Sequence, residues 1–461
     1  MALFPSLSIG ADALIAQQRA LDVTGNNIAN VNTPGYSRQT AVLSAIQPAT
    51  GNIGGGVLAT SVQQAIDPFL EARRLSVASD LAGANTQSGI LDQVQSLFPV
   101  QGTNIASAMQ DFFASANALA NSPQDIPTRT DLLSKAGAVA TQFNQTSSDI
   151  ATLQRQTDGQ IQQAAKDANT QLATIAKLNA AISAAQVSGT SPNDLLDQRR
   201  VALGTLAGIL NIQVVQHDNG MVDVTSSSGQ ALVLGTQAST LATSLDPSNI
   251  GLDGNALSQI GVLTAGGSLV KLSGNVGGSV GSLLNLRDTS LPATSGQLDQ
   301  LANTFRDAVN TVQTDPAGED LNGAVGTPFF SGTGAAGLTL ALTDPRTIAA
   351  ARSSNLGDNT GALALAQVAN TTFPALGGAT LNDYFGTLQG QVGSAASAAD
   401  SEATVQQNLS SNLEAQRDSV SGVNLEEEFT NLVQFQRGYQ AAADLISVSN
   451  QMLDDLLSLV S

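Results

Sequence analysis

The chain's first helical pattern ends in residues 26–39, Asn-Asn-Ile-Ala-Asn-Val-Asn-Thr-Pro-Gly-Tyr-Ser-Arg-Gln. Upstream, apolar residues recur at the spacing of one helix face, at Leu7, Ala11, Leu14, Leu21 and Ile28. The pattern stops near Asn30, because asparagine tolerates the left-handed conformation that closes a helix and Pro34 cannot continue one. Pro34 and Gly35 stand where a type II turn over residues 33–36 favours them. We therefore predict a helix from about residue 7 to residue 30, then a tight turn.

A second helix with a single apolar stripe is predicted at the other end, from residue 424 onward. Asn424 is its candidate cap, and residues 426–428 place three glutamates at the positive end of the helix dipole. A terminal helix with one apolar stripe is marginal alone in water. The economical arrangement pairs the two end helices as a coiled coil and buries a leftover apolar edge against neighbouring subunits. The alternative, in which both helices dock on the molecule's own bundle, stays open at this point.

Between the ends, a change of period separates helical from β-rich segments. Strands are predicted at 38–44 and 57–64 around a glycine-rich link, and helices from Asp67 to Gly189, with a rod of about 80 Å over 130–186. A capped helix over 195–210 precedes a hairpin with a type I′ turn at Asn219-Gly220. Short strands then continue to about Gly281. The remaining predicted helices cover 297–314, 361–371 and 380–418.

The predicted fold class is multidomain α+β, with paired terminal helices, a long-helix bundle and an inserted β-rich domain with a small second insertion. The domains are assigned to four sets of residues: 1–45 with 420–461 (terminal coiled coil), 46–205 with 290–315 and 357–419 (helical bundle), 206–289 (β-rich outer domain), and 316–356 (small β or loop insertion).

Charge excludes several classes of partner. The chain has 18 basic and 37 acidic residues and a formal net charge of −19, whereas a nucleic-acid binder needs a basic footprint. The same sign disfavours adsorption to anionic membranes. The charge-free stretch 359–382 is interrupted by Gly, Pro and Asn, and the start of the chain has no basic and apolar leader, so neither membrane insertion nor a cleaved signal peptide is predicted.

Catalytic chemistry is sparse in the sequence. Cysteine is absent, which excludes disulfides and thiolate ligands, and the single histidine, His217, precedes a turn on a strand. Neither an HExxH nor a P-loop pattern occurs. Asp454 and Asp455 point apart on a helix. We predict no enzyme, no metal and no cofactor; an Asp/Glu-based hydrolase in the β-rich middle is the best enzymatic alternative, and Asp197 with Arg199 and Arg200 is interpreted as a helix-surface ion pair.

The stretch 26–39 resembles the N-terminal signature of the bacterial flagellar axial proteins, with its Asn-Ile-Ala-Asn and Thr-x-Gly-Tyr core. Residues 422–441 resemble the matching C-terminal end of that family, and the stretches 67–70, 193–199 and 286–292 agree with it. Within the family, the Ser37-Arg38-Gln39 continuation is similar to that of the hook-associated members. The resemblance covers most of the chain and is strongest at both ends.

The resemblance implies a structural subunit of the bacterial flagellum, at the hook–filament junction, which polymerises on the hook tip and adapts it to the filament. It implies four partners: hook protein, a second hook-associated junction protein, copies of the chain itself, and an export chaperone on the C-terminal helix. The implied location is extracellular, in the flagellum, after type III export without a cleaved signal peptide. The alternatives are another axial subunit (hook or distal rod) or a secreted surface binding module or adhesin that uses residues 212–285.

Assembly residues are predicted at both ends. The N-terminal set is Leu14, Leu21, Asn27, Ile28, Asn30, Thr33, Gly35 and Tyr36. The C-terminal set, which the resemblance also assigns to the chaperone, is Leu425, Phe429, Leu432, Phe435, Tyr439, Ile446 and Leu453. Asn27 and Asn30 suit helix-end backbone groups or a bridge to a neighbouring helix, Gly35 suits the turn, and Tyr36 brings an apolar ring with a polar tip to a packing seam. Ordinary capping within one subunit is the alternative for each.

Overall fold

The computed structural model describes residues 3–47, 54–264, 266–355 and 357–460. The helices are α1 (Leu3–Ala29), α2 (Pro68–Ser96), α3 (Ile105–Asn121), α4 (Ile126–Val187), α5 (Asn193–Ile209), α6 (Gly278–Asn285), α7 (Leu291–Gln313), α8 (Gly334–Gly337), α9 (Thr360–Gln367), α10 (Leu381–Ser421) and α11 (Leu425–Val460). The strands are β1 (Gln39–Ala45), β2 (Val57–Gln64), β3 (Ile212–Gln216), β4 (Val222–Ser226), β5 (Ala231–Leu234), β6 (Gln237–Ala238), β7 (Thr240–Ile250), β8 (Ala256–Leu263), β9 (Leu269–Lys271), β10 (Phe330–Ser331) and β11 (Thr339–Leu340). This confirms the predicted multidomain α+β fold class.

The two ends of the chain pack against each other as an antiparallel helix pair, α1 with α11, which we call the terminal pair. A Cβ at Gly10 would lie 2.8 Å from Ile446, and one at Gly438 would lie 2.8 Å from Gln17. At both positions a glycine on one helix therefore leaves room for a larger side chain of the other helix. The predicted pairing of the ends is therefore confirmed.

Strands β1 and β2 form an antiparallel hairpin beside α1, with a bulge between Val42 and Leu43. The predicted strands at 38–44 and 57–64 are confirmed. The predicted domain boundary between residues 45 and 46 falls between the two strands of this hairpin, and the division into four domains stays a prediction. Asp67 then caps α2 by accepting hydrogen bonds from the Phe69 and Leu70 amides.

Helix α4 is the spine of the molecule, with 62 residues and a length of about 90 Å. It contains the predicted rod over 130–186. The half of α4 up to Leu153 packs with α2, α3, α7 and α10 around a phenylalanine cluster that includes Phe112, Phe305 and Phe330. Residues 316–356, predicted as a small insertion, contribute Phe329 and Phe330 to this first core.

The half of α4 from Ile161 onward packs with α5, α6 and the outer sheets in a second core. One sheet has the order β3-β4-β5-β6 and the other β7-β8-β9. The predicted hairpin forms, with Val214 opposite Val224. Its turn is not type I′, which needs positive φ at both central residues: Gly220 has φ +75° and Asn219 does not share it. The loop spans residues 218–220, because the His217 amide donates to the Met221 carbonyl.

Two predicted boundaries were wrong. The predicted strands continue to about Gly281, but residues 278–285 form α6. A Cβ at Gly278 would lie 2.5 Å from the Ile209 backbone, so the glycines here permit close packing of α6 on α5. A π-helical turn over Leu286–Ser290 joins α6 to α7, which begins at Leu291 and not near residue 297. Helix α5 begins at Asn193 without a side-chain cap, so Ser191 does not cap it.

Candidate assembly site at the paired ends

The seam of the terminal pair is lined by residues at alternating spacings of three and four. On α11 these are Leu432, Phe435, Tyr439, Ala442, Ile446, Ser449 and Leu453, all buried or half-buried. Among residues 6–29 of α1 the buried positions are Gly10, Ala16, Ala20, Thr24 and Asn27. The predicted Leu14, Leu21 and Ile28 are half-buried. The structure thus brings most of the predicted end residues to one helix–helix seam.

Large apolar side chains outside the seam are open to solvent on both helices of the terminal pair. Phe429 is 53% exposed, Val448 is 51% exposed and Ile15, on α1, is 59% exposed. We call this set the outer face; its members are Ile15, Phe429, Val433, Leu445, Val448 and Met452. Leu425 and Phe429, predicted on the same stripe as Leu432, are exposed instead. Val433, Val448 and Met452 were missed, although the four-residue steps from Phe429 to Val433 and from Val448 to Met452 were visible in the sequence.

Asn27 sits where α1 meets β1 and α11, and it is 1% exposed. Its Nδ2 donates to the Gln39 carbonyl at 2.8 Å and to Glu428 Oε2 at 3.1 Å. Its Oδ1 accepts from the Gln39 amide at 3.0 Å and from the Tyr36 hydroxyl at 2.8 Å. Both donor hydrogens and both acceptor positions of the amide are therefore used, as a buried polar group requires.

The turn after α1 has the predicted form. The Tyr36 amide donates to the Thr33 carbonyl at 3.2 Å and Gly35 has φ +81°, as the third position of a type II turn requires. A Cβ at Gly35 would lie 2.5 Å from Val201 Cγ2 on α5. Asn30 donates to the Asn26 carbonyl and Thr33 donates to Asn30 Oδ1, so in the single chain both side chains bond within this segment. Their part in assembly stays a prediction.

Tyr36 lies among acidic groups with its hydroxyl pointing at Asn26 and Asn27. Burial of the ring raises the pKa of its hydroxyl above the ordinary value, and the negative charges of Asp194, Asp197 and Glu428 raise it further. The phenol therefore stays protonated and serves as a hydrogen-bond donor to the end of α1.

Arg38 binds the first turn of α11. Its Nε donates to Glu428 Oε1 at 2.7 Å and its Nη2 to Glu427 Oε1 at 2.6 Å. Glu428 is 2% exposed, and burial of a carboxylate requires such a partner. Sequence reasoning assigned these glutamates to the helix dipole and left Arg38 out of the site, because no local pattern pairs residues 390 positions apart.

A second polar cluster ties the turn to α5 and α10. The Ser37 amide donates to Asp197 Oδ2 at 3.2 Å, Arg200 donates to Ser37 Oγ at 2.6 Å, and Arg417 Nη2 donates to the Tyr36 carbonyl at 2.7 Å. Asp197 also pairs with Arg200. The prediction of a helix-surface ion pair was wrong, because Asp197 and Arg199 are buried; Arg199 donates to Asn179 and to the Gly220 carbonyl.

The described residues hold few groups suited to catalysis. Among residues 3–47, 54–264, 266–355 and 357–460, no group of three or more His, Cys, Asp or Glu is placed to hold a metal ion. Residues 277–281 spell the G-x-S-x-G letters of a serine nucleophile, but the chain's one histidine, His217, is engaged with Asp223 at 2.8 Å on the outer sheet. No helix within the described ranges is long and apolar enough to cross a membrane. The arrangement at the paired ends is suited to binding other helices.

Three family descriptions match successive parts of the chain. Residues 91–330, more than half of it, match the helical domain of the flagellar hook-associated protein FlgK. Residues 7–36 match the flagella basal body rod protein description, and residues 414–459 match the C-terminal description of the flagellar basal body rod FlgEFG proteins. The last two correspond to α1 with its turn and to the end of α10 with α11.

The relatives that match this chain over nearly their whole length have the same name. Flagellar hook-associated protein 1 of Salmonella typhimurium is 27% identical over 97% of this chain and 98% of its own length. The proteins of that name from Escherichia coli and Bacillus subtilis are 26% and 27% identical, over 97% and 99% of this chain. The flagellar hook junction protein FlgK from Burkholderia pseudomallei has the same fold, with a TM-score of 0.69, 17% identity and coverage of 76% of this chain and 100% of that chain. The chain belongs to the flagellar hook-associated protein FlgK family.

Proposed function

We propose that this chain is the structural subunit that forms the junction between hook and filament. It polymerises on the tip of the hook through the terminal pair and adapts the hook to the filament. It acts by assembly and not by catalysis. The observation that carries the proposal is the outer face, a set of large apolar side chains left exposed on helices that are already paired.

Exposed apolar stripes on paired helices are the surfaces that further helices bury. The seam uses one face of α11 to hold α1, and the outer-face residues of α11 flank that seam. Neighbouring copies of this chain are its first occupants, because a subunit of a tube meets the same surface on every copy. Burial of one large apolar side chain is worth about 1.5–3 kcal/mol, so a single charge on this face weakens each contact strongly.

The test is a complementation experiment with matched variants. In a strain that lacks the chain, Val448→Asp is expected to leave the monomer folded but to block its incorporation and filament growth. Val100→Asp is the control, because Val100 is 81% exposed and lies in the α2–α3 loop. Leu432→Asp, in the seam, is expected to unpair α1 and α11 as well. Normal motility with Val448→Asp would contradict the proposal.

The partners follow from the position in the flagellum. Hook protein lies below the ring of subunits, and the second hook-associated junction protein lies above it. Before assembly, the outer face and the C-terminal residues of α11 need a cover, and we assign this to an export chaperone that holds residues 425–453. Export through the flagellar type III apparatus without cleavage then places the subunit outside the cell. Copurification of the chaperone with the full chain, lost in Phe429→Asp, is the expected result.

A deletion strain separates the junction from another axial position. Loss of filaments with hooks intact is expected for a hook–filament junction subunit. Loss of the hooks themselves would move the subunit to the hook or the distal rod. Electron microscopy of the mutant cells distinguishes these outcomes directly.

A further inference from the structure

The terminal pair and the rest of the chain are joined by polar contacts. We call residues 68–421 the body. Within the described ranges, neither hydrophobic core includes a residue of α1, β1, β2 or α11, although both cores draw on several elements of the body. Many of the contacts that cross between the two parts are hydrogen bonds. Residues 36–39 and 62–64 bond to residues 193–200, and residues 36–38 bond to residues 417–421. Apolar packing allows two parts of a protein to slide and rotate against each other, whereas hydrogen bonds between charged groups fix their relative orientation.

Arg38 contacts three of the segments that meet here. Its side chain binds Glu427 and Glu428 in the first turn of α11. Its amide donates to the carbonyl of Ser421, the last residue of α10, at 2.8 Å, and its carbonyl accepts from the Ala65 amide at 2.9 Å. One residue therefore holds the start of α11, the end of α10 and the exit of the hairpin.

The link between α10 and α11 contains only residues 422–424, Gly-Val-Asn. Gly422 is extended, and its amide donates to the Asp418 carbonyl at 2.9 Å. A three-residue link with a glycine permits many angles between two long helices. The planar Arg38 guanidinium is bonded to two carboxylates beyond the link, and these bonds select one of the possible angles between α10 and α11.

We propose that Arg38 is the positioning residue that sets the angle between the terminal pair and the body. The inference rests on the proposed assembly function, because a ring of subunits closes only when every copy presents its body at one angle to its terminal pair. Glu428 is the main partner, since it is buried and also accepts from Asn27 Nδ2; Glu427, which is half-exposed, is the lesser one.

The absence of cysteine makes a distance measurement direct. Spin labels on Val433→Cys in the outer face and Val405→Cys on α10, both exposed, report the separation of terminal pair and body in the full chain. The unsubstituted Arg38 chain is expected to give one narrow distance distribution. Arg38→Met is expected to broaden it and to speed exchange of the residue-38 amide about tenfold or more, the factor for one lost charge-assisted hydrogen bond.

Matched variants separate positioning from folding. Glu428→Gln is expected to broaden the distribution, Glu427→Gln to broaden it less, and Lys135→Met, which breaks an exposed pair with Asp111, to leave it unchanged. Helix content and exchange in the middle of α11 are expected to stay as in the unsubstituted chain. An unchanged distribution in Arg38→Met overturns the proposal, and so does loss of the paired helices, which would make Arg38 a folding residue. Incorporation of Val448→Asp tests the assembly function separately.

Discussion

Replacing Gly35 by alanine is expected to destabilise the contact between the turn and α5 by a calculable amount. Gly35 has φ +81°, where an L-residue costs about 1–2 kcal/mol. The new Cβ would lie 2.5 Å from Val201 Cγ2. Val201 is β-branched and stiff on its helix, so moving it off its rotamer costs about 0.5–1.5 kcal/mol more. The total is about 1.5–3.5 kcal/mol, or roughly 13- to 370-fold in the local opening equilibrium.

Hydrogen exchange of peptides spanning residues 36–45 measures this opening, because the Gln39 amide is bonded to Asn27 Oδ1 across the same turn. Gly35→Ala is expected to speed exchange there by the factor above, and Val201→Ala in the same chain is expected to recover the part due to the clash. Gly102→Ala is the control: Gly102 has φ +89° with no atom near its Cβ position, so the strain stays in its own loop.

Two results would refute this reasoning. If Gly35→Ala exchanges like the unsubstituted chain over residues 36–45, the turn does not hold the end of α1 in place. If Val201→Ala restores nothing, the close approach of the turn to α5 is not what limits the substitution.

Three further perturbations test the fold and its charges. Phe112→Ala, fully buried among phenylalanines, is expected to cost about 3–5 kcal/mol in denaturant unfolding, whereas Phe69→Ala, exposed, costs little; equal costs would contradict the core described. Because the pKa of Tyr36 is raised, the stability it contributes is present below pH 10.0 and lost as pH rises above that. Tyr36→Phe is therefore expected to reduce alkaline unfolding, followed by the loss of helix signal in circular dichroism; an unchanged alkaline midpoint would count against it. Burial alone would raise the pKa of Asp158, but hydrogen bonds from Ser258, Gln162 and Arg287 lower it, so the stability that Asp158 contributes is present above pH 3.8 and lost as pH falls below that. Asp158→Asn is expected to flatten the acid unfolding curve below pH 3.8, and an unaltered slope would contradict this.

Much of the fold was predictable from hydrophobic periodicity and turn residues. The helices α4, α10 and α11, the β1–β2 hairpin and the turn at Gly35 were predictable because each depends on neighbours within a few residues. The pairing of α1 with α11 followed from the physical argument that two marginal helices stabilise each other. Helix α6 was not predictable, because its glycines are explained by Ile209 on α5, a contact that local sequence does not contain.

The candidate site divides in the same way. Asn27, Gly35 and Tyr36 were expected from the motif, whereas Arg38 and Glu428 required the three-dimensional pairing of distant segments. Phe429 was predicted in the seam but is exposed. Apolar spacing alone does not determine which of two adjacent stripes faces the partner helix. The burial of Asp197 was missed because it depends on Ser37, in the motif itself, folding back on α5.

Thiol reactivity of the outer face tests the account most directly. The chain has no cysteine, so Val448→Cys introduces a single thiol on a residue that is 51% exposed in the isolated chain, and Val215→Cys does the same on the outer sheet. We expect maleimide to label both in the free subunit, and in purified flagella to label Val215→Cys while Val448→Cys is protected by neighbouring subunits. Equal labelling of Val448→Cys in the free subunit and in the assembled flagellum would contradict assembly through the paired ends.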